Sequence, residues 1–544
     1  MKRMSTMTDR LLAGTRASLA RTLRAAFARK LRRPGYAVVA AAVGILLMAG
    51  AAMIAQEPQG RGRGRGEPPA PNPLGQPLID PTGHVKDDAM IHVPLAAADA
   101  KYADLDGKHM KAIVRELAAI SDKNRDSGEA FWGRNVGTQG HVDTENWVEQ
   151  YFRKNNLQNI HRKSFELAPQ WIPSAGWSVT FTSNGRPVQL ASARPAHGMP
   201  PTPPAGLTLD VVWGGLGTDA DLAGRDLKGK AVLIQDILTP GVLNRWINNE
   251  GVTDRAVKAG ASAVGVVYGI ADNFALWEGT RVGSGFNVGY EDGRKLRDML
   301  GRGEKVRVTI KVQAERKSGL TTASVLGTLP GTTDEDIFII AHIDGYFEGA
   351  LDNASGVAVM MNLMEHYAKL PQSARRRSIR FMGSAGHHGG PGTAWLHDAR
   401  ETELARTALV INLEHVAAVR TKYWGNRLRQ STGVSPMRWW VWGSQSLLDI
   451  SLSSFSHFNV GITADMDNGA SGEIGGIARD APSIQVITSP EVKHTEQDTP
   501  EWVPSSGLEQ IARAYARIID ELNKLDRRQI LPAAARATTA GGQR

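Results

Sequence analysis

The sequence predicts an α/β fold: a mixed, largely parallel sheet flanked by helices, with a β-rich module inserted into it. Three observations carry that prediction. From Thr322 onward, short apolar runs alternate with helical patterns, the alternation that winds parallel strands and covers both faces of a sheet. Between residues 169 and 318 the pattern changes to short alternating strands and turns, with Asn184-Gly185 as a hairpin signal. Finally, a histidine or a carboxylate follows four separate apolar runs, at the strand ends where open α/β sheets bind ligands.

In chain order, residues 1–33 are a basic N-terminal segment. Lys2, Arg3, Arg10, Arg16, Arg21, Arg24, Arg29, Lys30, Arg32 and Arg33 stand against Asp9 alone, which already accounts for the net charge of +9. Everything beyond sums to about zero, so the charge is local and gives no nucleic-acid surface. Residues 34–56 follow, and 36–55 carry no charge, long enough for a span of roughly 20 residues. This is either a membrane anchor, with the basic flank held inside, or a signal peptide with Ala49-Gly50-Ala51 as its small-residue cleavage site. Both alternatives export the protein, to the outer face of the cytoplasmic membrane, the periplasm or the medium. The Pro/Gly/Arg-rich residues 57–100 read as a tether, and 531–544 as a flexible tail. With 544 residues, 42% of them hydrophobic, the chain supports more than one core. It has no cysteine, so any metal must be held by histidines and carboxylates.

Residues 101–168 open the main domain with two helices. Met110, Ile113, Leu117 and Ile120 share one face of the first, and Trp147, Val148, Tyr151 and Phe152 one face of the second. Between them, 133–138 read as a loop. The module 169–318 contains no cluster of histidines and acids, which makes it a lid or recognition domain. In residues 319–530, the runs 325–329, 337–340, 378–382, 409–413 and 483–486 read as strands. Residues 357–370, 393–398, 445–454 and 507–525 read as helices.

At the strand ends of this second half lie His342 and Asp344, then Asp352 at a helix N-terminus. His387 and His388 follow the next strand, Glu414 and His415 the one after, and His494 and Asp498 the last. Four strand ends offering such groups on one edge predict convergence on a site. The spacing His342-Ile343-Asp344, followed by Gly349-Ala350-Leu351-Asp352-Asn353-Ala354-Ser355-Gly356, resembles metallopeptidase family 28, the two-zinc aminopeptidases with an inserted protease-associated domain. The resemblance covers roughly residues 101–524. It includes GRDLKGKAVLIQD and KAGASAVGVVYG in the module, which are similar to that domain's motifs. It implies a zinc-exopeptidase-like fold and two divalent metal ions, taken as zinc. His342 and His494 would each ligate one ion, Asp352 would bridge them, and Asp344 would orient the His342 imidazole from behind.

Three departures qualify this. Where the family has Glu-Glu, base then ligand, this chain has His387-His388. Where the family commonly has an aspartate, it has Glu414. The family's Ser-Asp-His near the C-terminal end is Ser471-Gly472-Glu473. His388 and Glu414 fit as ligands, since neutral imidazole and a longer carboxylate both hold zinc. His387 then stands where the base belongs, a weaker proton acceptor for that task. The implied ligand charge falls by one, so the second metal is expected to be held weakly. The function implied is an exported zinc-dependent hydrolase of the aminopeptidase type, cleaving amide bonds near peptide N-termini, with His387 or Glu473 moving the proton. The alternative is a non-enzymatic peptide- or ligand-binding protein on the same scaffold. Partners are a peptide or small amide substrate and, through the N-terminal segment, a membrane; the sequence assigns no oligomeric state. His366 and His397 read as structural, and Arg375-Arg376-Arg377 as a solvated turn. Trp439-Trp440-Val441-Trp442 either lines a pocket or packs in the interior.

Overall fold

Seven strands form the sheet that carries the site, in the spatial order Gln158–Glu166, Thr321–Leu329, Ser378–Ser384, Asp336–His342, Thr407–Leu413, Ser483–Ile487 and Arg438–Trp442. The four strands from Ser378–Ser384 to Ser483–Ile487 are mutually parallel; Thr321–Leu329 and Arg438–Trp442 run antiparallel to them, and Gln158–Glu166 pairs antiparallel with Thr321–Leu329. The computed structural model describes residues 78–237, 251–277, 283–386, 388–463, 469–488 and 491–533. The basic segment, the anchor or signal peptide, the first part of the tether, the end of the tail and His387 therefore lie outside the described residues. No helix among the described residues is long and apolar enough to cross a membrane.

The apolar run at the centre explains itself by burial on both faces. Ile337 and Ile339 face a helical layer of Gly107–Asp126, Ser355–Ala368 and Ser505–Leu522, while Phe338 and Ile340 pack on the other side with Met382, Val410, Trp440 and Leu396. Such a strand has no polar alternation, as expected for the middle of a parallel sheet. Its last residue, His342, emerges at the carboxyl edge together with the ends of its neighbours.

One open alternative is decided here and two expectations are corrected. Arg438–Trp442 is an edge strand, antiparallel to Ser483–Ile487, and the tryptophans pack rather than line a pocket. Trp439 enters the helical core, Trp440 the opposite one, and the Trp440 Nε1–H donates to Ser483 Oγ at 3.1 Å. The arginine run is not a solvated turn either. Arg377 is fully buried, donating to the carbonyls of Leu522 (2.7 Å) and Leu525 (2.8 Å) and pairing with Glu335 at 2.7 Å. It caps the last turn of Ser505–Leu522, whose final carbonyls would otherwise be orphaned. Residues 78–100, read as tether, also pack on the body: Met90 is buried, and Asp87 pairs with Lys111 at 2.9 Å.

The inserted residues make a second sheet of eight strands. Its core is itself parallel, running Leu207–Trp213, Ala231–Gln235, Ala263–Val267 and Ser284–Val288, with helices Val252–Lys258 and Tyr290–Gly301 packed against it. The module reaches the main domain at the segment that carries His494. Leu276 bridges Thr495, the Glu496 N–H donates to Ala275 O at 3.1 Å, and Arg194 pairs with Glu496.

Arg377→Met should lower stability by about 2–4 kcal/mol, because it strands two carbonyls and the Glu335 carboxylate. Arg376→Met, at a more exposed position, should cost under about 1 kcal/mol. Urea unfolding midpoints of the two variants check the difference.

Candidate metal centre

The site begins with the loop after Asp336–His342. Arg134, nearly inaccessible, threads beneath it and donates to the carbonyls of Ile343 (3.3 Å), Glu348 (2.5 Å) and Gly349 (2.9 Å). Burial pushes the Arg134 guanidinium down to about 10, while Asp498, Asp344 and Asp352 pull the other way. Glycine is required at two points of this loop. At Gly345 a Cβ would sit 2.8 Å from the Arg134 guanidinium, and at Gly349, with φ +53°, it would sit 2.7 Å from the Asp352 carbonyl. The sequence reading passed 133–138 as an ordinary loop, and Arg134 carried no signal beyond its charge.

Asp344 is buried and grips two imidazoles at once. Its Oδ1 lies 2.8 Å from His342 Nδ1, and its Oδ2 lies 3.1 Å from His388 Nδ1 and accepts the His388 N–H at 3.0 Å. Both rings thereby turn Nε2 to the same side. Gly386, with φ +88°, makes room for this, since a Cβ there would fall 2.6 Å from the Asp344 carboxyl carbon. Burial would raise the Asp344 pKa, but the His388 and His342 imidazoles outweigh it and hold the carboxyl well below the usual range.

Asp352 sits between two groups of these nitrogens. Its Oδ1 lies 3.3 Å from His342 Nε2 and 3.0 Å from His415 Nε2, and its Oδ2 lies 3.0 Å from His494 Nε2 and 4.0 Å from His388 Nε2. His388 Nε2 and His494 Nε2 are 3.3 Å apart. Glu414 Oε1 stands 4.0 Å from His342 Nε2 and 3.9 Å from His415 Nε2. Its Oε2 is occupied by the Asn412 amide (2.9 Å) and the Glu473 N–H (2.8 Å). Asp498 holds the segment from behind, accepting from the Leu351 and Asp352 N–H groups at 2.7 and 3.1 Å. Burial pushes the Asp498 carboxyl up to about 7, with Asp352 adding to the rise.

These distances fit two divalent cations. Both Asp352 oxygens are buried without a hydrogen bond, and so is His415 Nε2, although each lies close to the others. Buried nitrogen and oxygen atoms crowded together in this way are the arrangement of metal ligands. Two ligands of a tetrahedral zinc with ordinary bond lengths stand about 3.3 Å apart. The separations of 3.0 to 4.0 Å fall around that value on both sides of Asp352. His342, Glu414 and His415 form one candidate metal group and His342, Asp352 and His388 another.

The structure thus brings together His342, Asp344, Asp352, His388, Glu414 and His494. His387 lies outside the described residues. His415 is an addition: the sequence placed it beside Glu414 without a role. Glu473, named as a substitute acid, is buried and accepts from the Ser384 hydroxyl, committing one of its carboxylate oxygens to that contact. His366 is bound to Asp104 (2.7 Å) and His397 to Asp480 (2.7 Å), away from the cluster. Tyr346 packs against the cluster, stacked on His388 at 4.9 Å and edge-on to His494 at 4.8 Å. Tyr346 also packs on Phe131, which with Trp171 and Trp277 belongs to the buried core of the second sheet.

An α/β sheet with a cluster of imidazoles and carboxylates at its carboxyl edge is an arrangement suited to holding metal ions. Residues 324–519 match the family model "Peptidase family M28". The match covers 196 of the 544 residues and supports a metallopeptidase. Three solved structures share the fold. They are an aminopeptidase from Aneurinibacillus sp. strain AM-1 (21% identity, 78% of this chain and 95% of that one, TM-score 0.52), a zinc aminopeptidase from Bacillus subtilis (20%, 78% and 98%, 0.55), and a peptidase M28 precursor from Shewanella amazonensis SB2B (17%, 78% and 99%, 0.58). No protein of curated function matches the chain.

One neighbour of the site gives a pH prediction. Burial, then the carboxylates of Asp122, Glu501 and Asp498, push half-buried Glu348 up to about 7 from 4.5. Between those values the folded state holds a proton that the unfolded state releases, so this group costs stability as pH rises toward and past 7. Glu348→Gln should therefore raise the melting temperature at pH 8, with the gain shrinking toward pH 5. Thermal scans of both proteins at the two pH values test the sign.

Proposed function

We propose that the chain is an exported, zinc-dependent aminopeptidase, anchored or released through its N-terminal segment, that removes residues from peptide N-termini. The observation that carries this reading is Asp352, buried with two unbonded carboxylate oxygens and flanked by imidazoles on both sides. His342, Asp352, Glu414, His388 and His494 would hold two divalent cations, with His415 beside them. When bound, such cations supply a Lewis-acid pull on the scissile carbonyl and lower the pKa of water.

The chain's own residues do the rest. Asp344 bonds His342 Nδ1 and lies 3.1 Å from His388 Nδ1, which holds the orientation of both rings at the cluster. Tyr346 shields the His388 and His494 rings from solvent, and a dry wall strengthens every charge interaction at the site. His387, where the family's base would stand, carries the proton to the leaving amine. We read the second sheet as a protease-associated domain that braces the segment after His494.

Zinc-loaded protein should release free amino acids from unblocked peptides and leave N-acetylated ones intact. His342→Ala should abolish release, and His387→Ala should lower kcat by roughly 10²–10⁴-fold with little change in KM. Mass spectrometry of timed digests measures this. Metal-loaded protein that binds both peptide types and cleaves neither would favour the ligand-binding alternative.

A further inference from the structure

We infer that the hairpin of Val419–Trp424 and Arg427–Val434, together with the strap 78–93 bonded to it, is a docking surface for an anionic phospholipid membrane. The choice of a lipid surface rests on the exported, membrane-anchored reading; the surface itself stands on charge and exposure.

The hairpin is a two-stranded sheet of its own, outside both large sheets. Alternation along the strands sorts its side chains onto two faces. On one face, Thr421 Oγ1 donates to Glu491 Oε1 at 2.6 Å and the Gln430 amide to the Glu501 carbonyl at 3.1 Å. Leu428 is buried on that face, in a cluster with Tyr268, Phe274, Val492 and Trp502. On the other face Lys422 stands opposite Arg429 and Trp424 opposite Arg427, and all four are exposed. Residues 419–434 hold four bases, Arg420, Lys422, Arg427 and Arg429, and no acid. Arg427 is met by Asp272 at 2.9 Å and Glu291 at 3.8 Å, so Arg420, Lys422 and Arg429 carry the charge outward.

The apolar side chains are a second, independent observation. Among the described residues, six of the ten exposed large hydrophobic side chains lie here: Tyr423 (51%) and Trp424 (74%) at the tip, and Leu78, Ile79, Ile91 and Val93 in the strap. Two hydrogen bonds tie the strap to the hairpin. The Val85 N–H donates to Gln430 Oε1 at 2.8 Å, and the Ile91 N–H to the Thr432 carbonyl at 2.9 Å. Single exposed hydrophobics need no cause, but a group of them beside bases marks a contact surface. Tryptophan and tyrosine flanked by lysine and arginine settle where headgroups meet acyl chains, and the positive charge selects anionic headgroups. The described body also begins at Leu78, with only residues 56–77 between it and the apolar run 36–55. A chain leaving an anchored segment therefore joins the body at this surface.

Because the chain has no cysteine, one probe can be placed at will on the full-length protein. Asn426→Cys at the hairpin tip and Val257→Cys on the second sheet's helix Val252–Lys258, each carrying a polarity-sensitive fluorophore, are compared on vesicles of phosphatidylcholine with and without phosphatidylglycerol. The tip probe should shift to the blue on the anionic vesicles and lose the shift at high salt, while the Val257 probe should not shift. Lys422→Gln combined with Arg429→Gln should abolish the tip shift at an unchanged melting temperature. A tip probe that keeps its aqueous emission on anionic vesicles, or an equal shift in the double variant, would overturn the inference. A shift produced by soluble polyglutamate and not by vesicles would overturn it in favour of an acidic protein partner. Failure to float with phosphatidylcholine vesicles would overturn the anchored reading alone, since the tip probe responds to anionic vesicles with or without an anchor.

Discussion

Three carboxylates, those of Asp344, Asp352 and Glu414, are buried within a few ångströms of one another at a single sheet edge, and the architecture of the second half depends on how that charge is carried. Unpaired ions in such a place cost several kcal/mol each. Imidazoles take up part of the cost: His342 and His388 flank Asp344, and four histidine nitrogens surround Asp352. Hydrogen bonds satisfy Asp344 and one oxygen of Glu414, but the Asp352 oxygens have none. Buried carboxylate oxygens without hydrogen bonds, ringed by imidazoles, are suited to cations.

The scaffold around it is built to keep that arrangement rigid. The parallel strands give the edge, since the carboxyl ends of Asp336–His342, Ser378–Ser384, Thr407–Leu413 and Ser483–Ile487 all open toward it. Arg134 fastens the loop between His342 and Asp352 from below, and Asp498 fastens the Asp352 backbone from the far end of the chain. The second sheet contributes as well, because Leu276 and Arg194 engage the two residues immediately after His494. A ligand segment clamped by another module couples the geometry of the metal centre to the placement of that module.

Much of this was legible in the residues. Continuous apolar runs bounded by helical patterns located the parallel strands, because a strand buried on both faces has no other composition open to it. The His342–Asp344 and Asp352–Gly356 spacing located the site. What escaped had physical reasons. In a regular strand, neighbouring residues point to opposite faces, so Glu414 and His415 could not both be expected to serve one site. Beyond the strand end the left-handed turn at His415 removes that restriction. Arg377 and Arg134 read as surface residues by type, whereas each is buried because helix-end or loop carbonyls need its fan of donors. The tryptophan run gave no period to distinguish a packed edge strand from a pocket wall.

The central claim is that Asp352 lies between two cations. Anomalous diffraction from crystals of the zinc-loaded chain, recorded on both sides of the zinc edge, tests it most directly. The account predicts two zinc peaks, one on each side of the Asp352 carboxylate, the first among His342, Glu414 and His415 and the second against His388 and His494. A single peak away from Asp352, or zinc at a place none of these residues reaches, would contradict it.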